Sequence, residues 1–190
     1  ESYSSPALGD YDNDGDLDLY FVQGGYLDYE STEHNILLRN DDGVFTDITS
    51  TSGTGDTGYG MGVATGDYDN DGDTDIYITN VGRNTLLQNN GDGTFIDASE
   101  MSGVLRTGKR IHRATIFGDY DNDGKVDFYV VNNGEESYED DSDRYGVLFH
   151  NESTSGGWLK VKLQGTTSNR DAFGTKLKLV AGEKTQIREH

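Results

Sequence analysis

The run Gly9-Asp10-Tyr11-Asp12-Asn13-Asp14-Gly15-Asp16-Leu17-Asp18-Leu19-Tyr20-Phe21-Val22 decides how this chain is read. Its first ten residues set carboxylates at alternate positions around a glycine. Its last six are a short apolar run rich in aromatic and β-branched side chains, the pattern of a strand. The string Gly-Asp-Tyr-Asp-Asn-Asp-Gly-x-x-Asp returns at 66–75 and 118–127. There it feeds Asp75-Ile76-Tyr77-Ile78 and Asp127-Phe128-Tyr129-Val130-Val131. A loop that leads into a strand, three times over, predicts an all-β chain.

With the first Asp as position 1, carboxylates stand at 1, 3, 5 and 9: Asp10, Asp12, Asp14 and Asp18; Asp67, Asp69, Asp71 and Asp75; Asp119, Asp121, Asp123 and Asp127. Oxygen donors in this phase suit Ca²⁺, which accepts six to eight oxygens in flexible geometry, better than Mg²⁺, which keeps its waters. Glycine at position 6 permits the sharp turn around an ion. Position 7 is Asp16, Asp73 or Lys125. A lysine cannot ligate a cation through its side chain, so position 7 is expected to offer its backbone carbonyl. Softer metals are disfavoured, because the loops hold neither cysteine nor histidine. A hairpin turn needs only one or two Asn, Asp or Gly residues, and four like charges in fixed phase repel unless a cation sits among them. Three Ca²⁺ sites are therefore expected. An EF-hand is excluded: it requires a Glu at position 12 and a following helix, whereas position 12 here is Phe21, Ile78 or Val130.

The repetition extends past the loops. Asn35-Ile36-Leu37-Leu38-Arg39-Asn40 precedes Gly43-Val44-Phe45-Thr46-Asp47, and Asn84-Thr85-Leu86-Leu87-Gln88-Asn89 precedes Gly93-Thr94-Phe95-Ile96-Asp97. The third copy has Gly146-Val147-Leu148-Phe149-His150-Asn151 and then departs from the pattern. Loop starts at 10, 67 and 119 are 57 and 52 residues apart, a period that with about four short strands per unit marks propeller blades. Each unit reads as an inner strand ending at Gly-Asp, the acidic loop, a second strand, a variable loop (23–34, 80–83, 132–145), a Leu-Leu strand, an Asp-Gly turn and a Phe-containing strand. The expected units are 1–58, 59–110 and 111–155. Three repeats do not easily close a ring, so the propeller is expected to be incomplete or to be completed between chains.

Composition agrees with β-structure rich in turns: 26 glycines, 12 tyrosines and one proline in 190 residues, without cysteine. Hydrophobic content is 32%, low for this length, and the formal charge is −20, so bound ions are expected to supply cohesion. Residues 1–155 hold 32 acids and 8 Lys/Arg, a net of −24, and 156–190 hold 3 and 7, a net of +4. The acidic body argues against a nucleic-acid partner, which demands a basic surface. The basic segment either docks on that body or is a separate module. The acidic run 135–143 reads as a solvated loop. Neither a signal peptide nor an apolar spanning run is evident, and a chain that starts at Glu1 reads as mature or trimmed. Weak all-oxygen sites fill where calcium is millimolar, which places the protein outside the cell.

Phe117-Gly118-Asp119 together with the three Asp loops resembles the FG-GAP/VCBS repeats of integrin α-subunit-type β-propellers, and the resemblance implies Ca²⁺ on the loop acids. Trp158-Leu159-Lys160-Val161-Lys162-Leu163-x-Gly165 followed by Ser168-Asn169-Arg170-Asp171-Ala172-Phe173-Gly174 resembles the start of an ASPIC/UnbV module, which follows such repeats in cartilage acidic protein and secreted bacterial relatives. The segment 156–190 is accordingly a partial β module.

Catalysis is not expected. His34, His112, His150 and His190 show no mutual spacing that suggests a site, and no nucleophile or phosphate-loop motif is present. The expected role is extracellular: adhesion, display or self-assembly, filaments included, through protein partners or copies of the chain. The alternatives are a calcium-dependent sugar-binding module, with Tyr3, Tyr26, Tyr29, Tyr59, Tyr138 and Trp158 as stacking surfaces, or an accessory fragment of a secreted enzyme. Asn151-Glu152-Ser153 is a single glycosylation sequon.

Overall fold

The computed structural model describes residues 4–24, 34–104, 110–133, 146–154, 159, 161–166, 174–182 and 184–189. The chain is nearly all β, and its strands gather into antiparallel sheets. In the first blade β1 (Ser4–Gly9), β2 (Asp18–Gln23), β3 (Ile36–Asp41) and β4 (Val44–Asp47) form an antiparallel meander in that order. The second blade repeats it with β5 (Tyr59–Gly66), β6 (Asp75–Gly82), β7 (Thr85–Asn89) and β8 (Phe95–Asp97). The third has β9 (Arg110–Gly118), β10 (Asp127–Asn133) and β11 (Val147–Phe149), without a fourth strand among the described residues. A separate hairpin pairs β12 (Lys176–Ala181) with β13 (Lys184–Glu189).

The expected loop at 80–83 needs correction. Residues 80–82 belong to β6 and not to a loop, because Val81 and Gly82 pair with Ile111 and Arg110 of β9, joining the second and third blades into one seven-stranded sheet. A short helix, α1 (Thr49–Ser52), follows β4. Asp47 starts it by accepting the Thr49 N–H at 3.0 Å, and Gly53 ends it at φ 81°. Loop residues 25–33, most of 132–145 including the acidic run, and Trp158 and 168–173 lie outside the described residues.

The blades stack face to face, and the period-2 alternation of each second strand divides the apolar load between two seams. The first seam joins Tyr20, Val22 and Leu37 to Ile76, Ile78, Leu87 and Phe95. The second joins Tyr77 and Leu86 to Phe128 and Val130. Aromatic rings set the spacing: Tyr11 meets Phe95 edge-on at 5.8 Å, and Phe128 lies 5.1 Å from Tyr77 and 4.5 Å from Phe149. Tyr20 donates its hydroxyl proton to the Thr54 carbonyl at 2.9 Å, and the Asn84 amide donates to the Tyr77 hydroxyl at 2.8 Å. Neither phenol is therefore buried without a partner.

Candidate metal centres

Each acidic loop bridges the first two strands of its blade and is shaped by two left-handed residues. These are the asparagine at position 4 (Asn13, Asn70, Asn122; φ 58–62°) and the glycine at position 6 (Gly15, Gly72, Gly124; φ 88–102°). Glycine tolerates that region freely, and asparagine is among the few side chains that do so at modest cost.

Backbone N–H groups then orient the carboxylates. The position 5 acids Asp14, Asp71 and Asp123 each accept the N–H of position 7, at 2.8, 2.9 and 2.9 Å. Asp67 and Asp119 accept the N–H of Gly72 and Gly124 at 3.1 and 3.2 Å. The position 9 acids are braces between strands. Asp18, Asp75 and Asp127 each take one N–H from the loop tyrosine (Tyr11, Tyr68, Tyr120) and one from the asparagine that follows the Leu-Leu strand (Asn40, Asn89, Asn151).

Ligand-capable oxygens converge in all three loops. One from each of Asp10, Asp12 and Asp14 lies within 4.8 Å of the others, as do those of Asp67, Asp69 and Asp71, and of Asp119, Asp121 and Asp127. Asp18 and Asp75 stand outside those groups as braces. Asp16, Asp73 and Lys125 also turn their side chains elsewhere: Asp16 accepts the Asp42 N–H at 2.7 Å, Asp73 accepts the Asn13 amide at 2.9 Å, and the Lys125 ammonium pairs with Asp123 at 3.3 Å. These placements leave the position 7 carbonyl as that residue's natural donor.

The electrostatics are those of crowded anions. Burial, and then mutual repulsion, raises Asp10 and Asp12, and pushes Asp67 to about 6. Burial pushes Asp18 to about 6 and Asp75 to about 8. Asp10 is nearly fully buried, and its Oδ1, like Asp12 Oδ1 and Asp119 Oδ1, has no hydrogen-bond partner. A buried anionic oxygen without a donor is costly. A hard divalent cation among these oxygens relieves both that cost and the repulsion, so the donor set fits Ca²⁺. Lys125 sets the third loop apart, since its backbone N–H, and after that its ammonium, lowers Asp123.

The chain belongs to the FG-GAP-like repeat family. The family model matches residues 10–78 and 67–130, together more than half of the sequence. No curated protein matches the chain. Each FG-GAP-like match starts at an acidic loop and runs to the strand after the next one, so each spans a complete seam between blades.

One contributor escaped the sequence reading. The residue after the Leu-Leu or Leu-Phe pair is Arg39, Gln88 or His150, and in the second and third blades it leans over the loop. The Gln88 amide donates to Asp69, and His150 Nδ1 lies 3.6 Å from Asp121 and 3.3 Å from Asp127. The expectation that no histidine stands in a metal pattern is therefore corrected for His150, which shares a cluster with Asp121 and Asp123. Alignment of the three Leu strands carried that signal. The sequon residue Asn151 spends its amide on the carbonyls of Tyr68 and Val126, the arrangement of a brace and not of a free acceptor. Of the aromatic residues considered for sugar stacking, only Tyr59 lies among the described residues, half-buried in β5.

Proposed function

We propose that this FG-GAP-like repeat protein is an extracellular calcium-binding structural or adhesion protein that presents stacked blades to protein partners. The observation that carries the reading is the buried Asp10 carboxylate, which has an unpartnered oxygen and belongs to a three-acid group, as three loop acids also do in each of the other two blades. Bound Ca²⁺ supplies positive charge to the loop acids. The chain's own residues do the rest: Asn13, Asn70, Asn122 and the loop glycines bend the backbone, and Asp18, Asp75 and Asp127 tie each loop to its Leu strand.

Loop and seam are mechanically linked. Asn13 of the first loop donates to Asp73 and to the Gly91 carbonyl of the second blade, and Asn70 of the second loop donates to Ser153 beyond the third. Order in one loop is thus passed to the next blade. An extracellular setting agrees with the weak, all-oxygen character of the loops, and among the described residues no helix is long and apolar enough to cross a membrane. Segment 156–190 is proposed as the start of an ASPIC/UnbV-like module, and the β12–β13 hairpin supports its β character. The test is elemental analysis of the dialysed protein together with melting in calcium and in excess chelator. Three ions per chain and a large fall in melting temperature on chelation are expected; unchanged melting refutes the proposal.

A further inference from the structure

The three blades carry the same cross-strand rows, and the rows differ in what covers them. Ala7–Tyr20–Leu37 in the first blade corresponds to Ala64–Tyr77–Leu86 in the second and Ile116–Tyr129–Leu148 in the third. The first two rows are sealed against the following blade. The third is open: Ile116 is 66% exposed, Tyr129 40% and Leu148 47%. The loop tyrosines follow suit. Tyr11 is fully buried and Tyr68 packs into the second seam, whereas Tyr120 is 56% exposed. The rows that seat on these faces also correspond: Thr65–Ile76–Leu87 seals the first blade and Phe117–Phe128–Phe149 the second. Their counterpart in the first blade is Leu8–Leu19–Leu38, on the opposite end of the stack, with Leu8 58% exposed.

We propose that a second copy of this chain docks head to tail, its Leu8–Leu19–Leu38 row seating on the Ile116–Tyr129–Leu148 row. The contact continues the seam that the molecule already makes twice, with the same strand positions on each side. The Ile116 position is alanine in the two sealed rows (Ala7 and Ala64), so the open face offers more apolar surface than its sealed equivalents. Such a contact is heterologous, because each copy keeps one face of each kind. It therefore propagates into a ring or a filament. The inference rests on the protein-interaction reading above and names the surface and the partner.

The test uses the whole chain in calcium, followed by sedimentation over a range of concentrations, with Leu8→Glu and Ile116→Glu. Both side chains are exposed, so the monomer should fold and bind as many ions as the wild type, which elemental analysis checks. Wild type is expected to associate beyond a dimer with rising concentration, and each variant alone to stay monomeric. An equimolar mixture of the two variants is expected to give dimers and stop there, because only one complementary pair of faces remains. Wild type that stays monomeric overturns the proposal, whether Tyr129 is open to radical footprinting or protected by its own chain. So does association that neither substitution weakens. Loss of ion binding with intact assembly would instead refute the calcium reading alone.

Discussion

Replacement of Asp69 by alanine separates the ionic contribution of a loop from its scaffold. Asp69 occupies position 3 of the second loop, its oxygens accept the Asp71 N–H at 3.2 Å and the Gln88 amide, and one of them joins the Asp67–Asp71 group. In the metal-free protein the ionised side chain is disfavoured by burial and by the Asp71 charge. Alanine removes that repulsion while losing the two hydrogen bonds, and the metal-free melting temperature should change little. In calcium the balance differs. With a dissociation constant of about 10⁻⁴ M, within the range of extracellular sites, and calcium at about 100-fold excess, each ion contributes ~2.7 kcal/mol. For a chain of this length each kcal/mol corresponds to roughly 2–4 °C. The three ions of the wild type should therefore raise the melting temperature by roughly 16–32 °C, and Asp69→Ala should forfeit about a third of that rise. Calorimetric titration should count two ions where the wild type counts three. Three ions in the variant, or a full calcium-dependent rise, would refute the assignment; an equal loss with and without calcium would make Asp69 a scaffold residue.

Lys125→Asp restores at position 7 the residue found in the other two loops and removes the cation beside Asp123. Calcium affinity of the third loop should rise by up to about fivefold, the scale of a partly exposed ion pair, and a weaker third site in titration would refute this. Asp75 is pushed to about 8 by burial. The folded metal-free state therefore holds a proton that the unfolded chain releases, and its stability should rise as pH falls from about 9 to about 5. Protons compete with the metal over the same window, so the melting gain from calcium should be larger at the alkaline end. A chelated protein that loses stability toward acid in that window would contradict the assignment. Gly66→Ala places a Cβ 2.8 Å from Phe117 Cγ in the second seam, and overpacking should cost about 1–3 kcal/mol; unchanged urea denaturation would show that the seam yields.

Much of the fold was legible because its signals are local. The loop motif, the alternation after it and the Leu-Leu strands each depend on residues close together in the chain, and the strands formed where those patterns stood. Position 80–82 misled because its strand pairings are to β5 and β9, about twenty and thirty residues away, which no local pattern records. The site was legible as chemistry but not as a division of roles. Alternating aspartates look equivalent in sequence, yet Asp18 and Asp75 tie strands together while positions 1, 3 and 5 of their loops converge, and in the third loop Asp127 does both, tying strands and grouping with Asp119 and Asp121. Hydrogen-bond donors from Asn40, Asn89 and Asn151, some two dozen residues or fewer downstream, make that distinction. His150 reached the third loop by the same route.

By itself the sequence determined the donor set, the turn at each glycine and the strand that follows each loop, since these rest on side-chain chemistry and backbone preference within a few residues. The tertiary structure alone decided which faces are sealed. Tyr20, Tyr77 and Tyr129 occupy the same position of the same repeat, and the first two are fully buried while the third is open. Burial is a property of what lies across the sheet, and only the stacking of blades determines it.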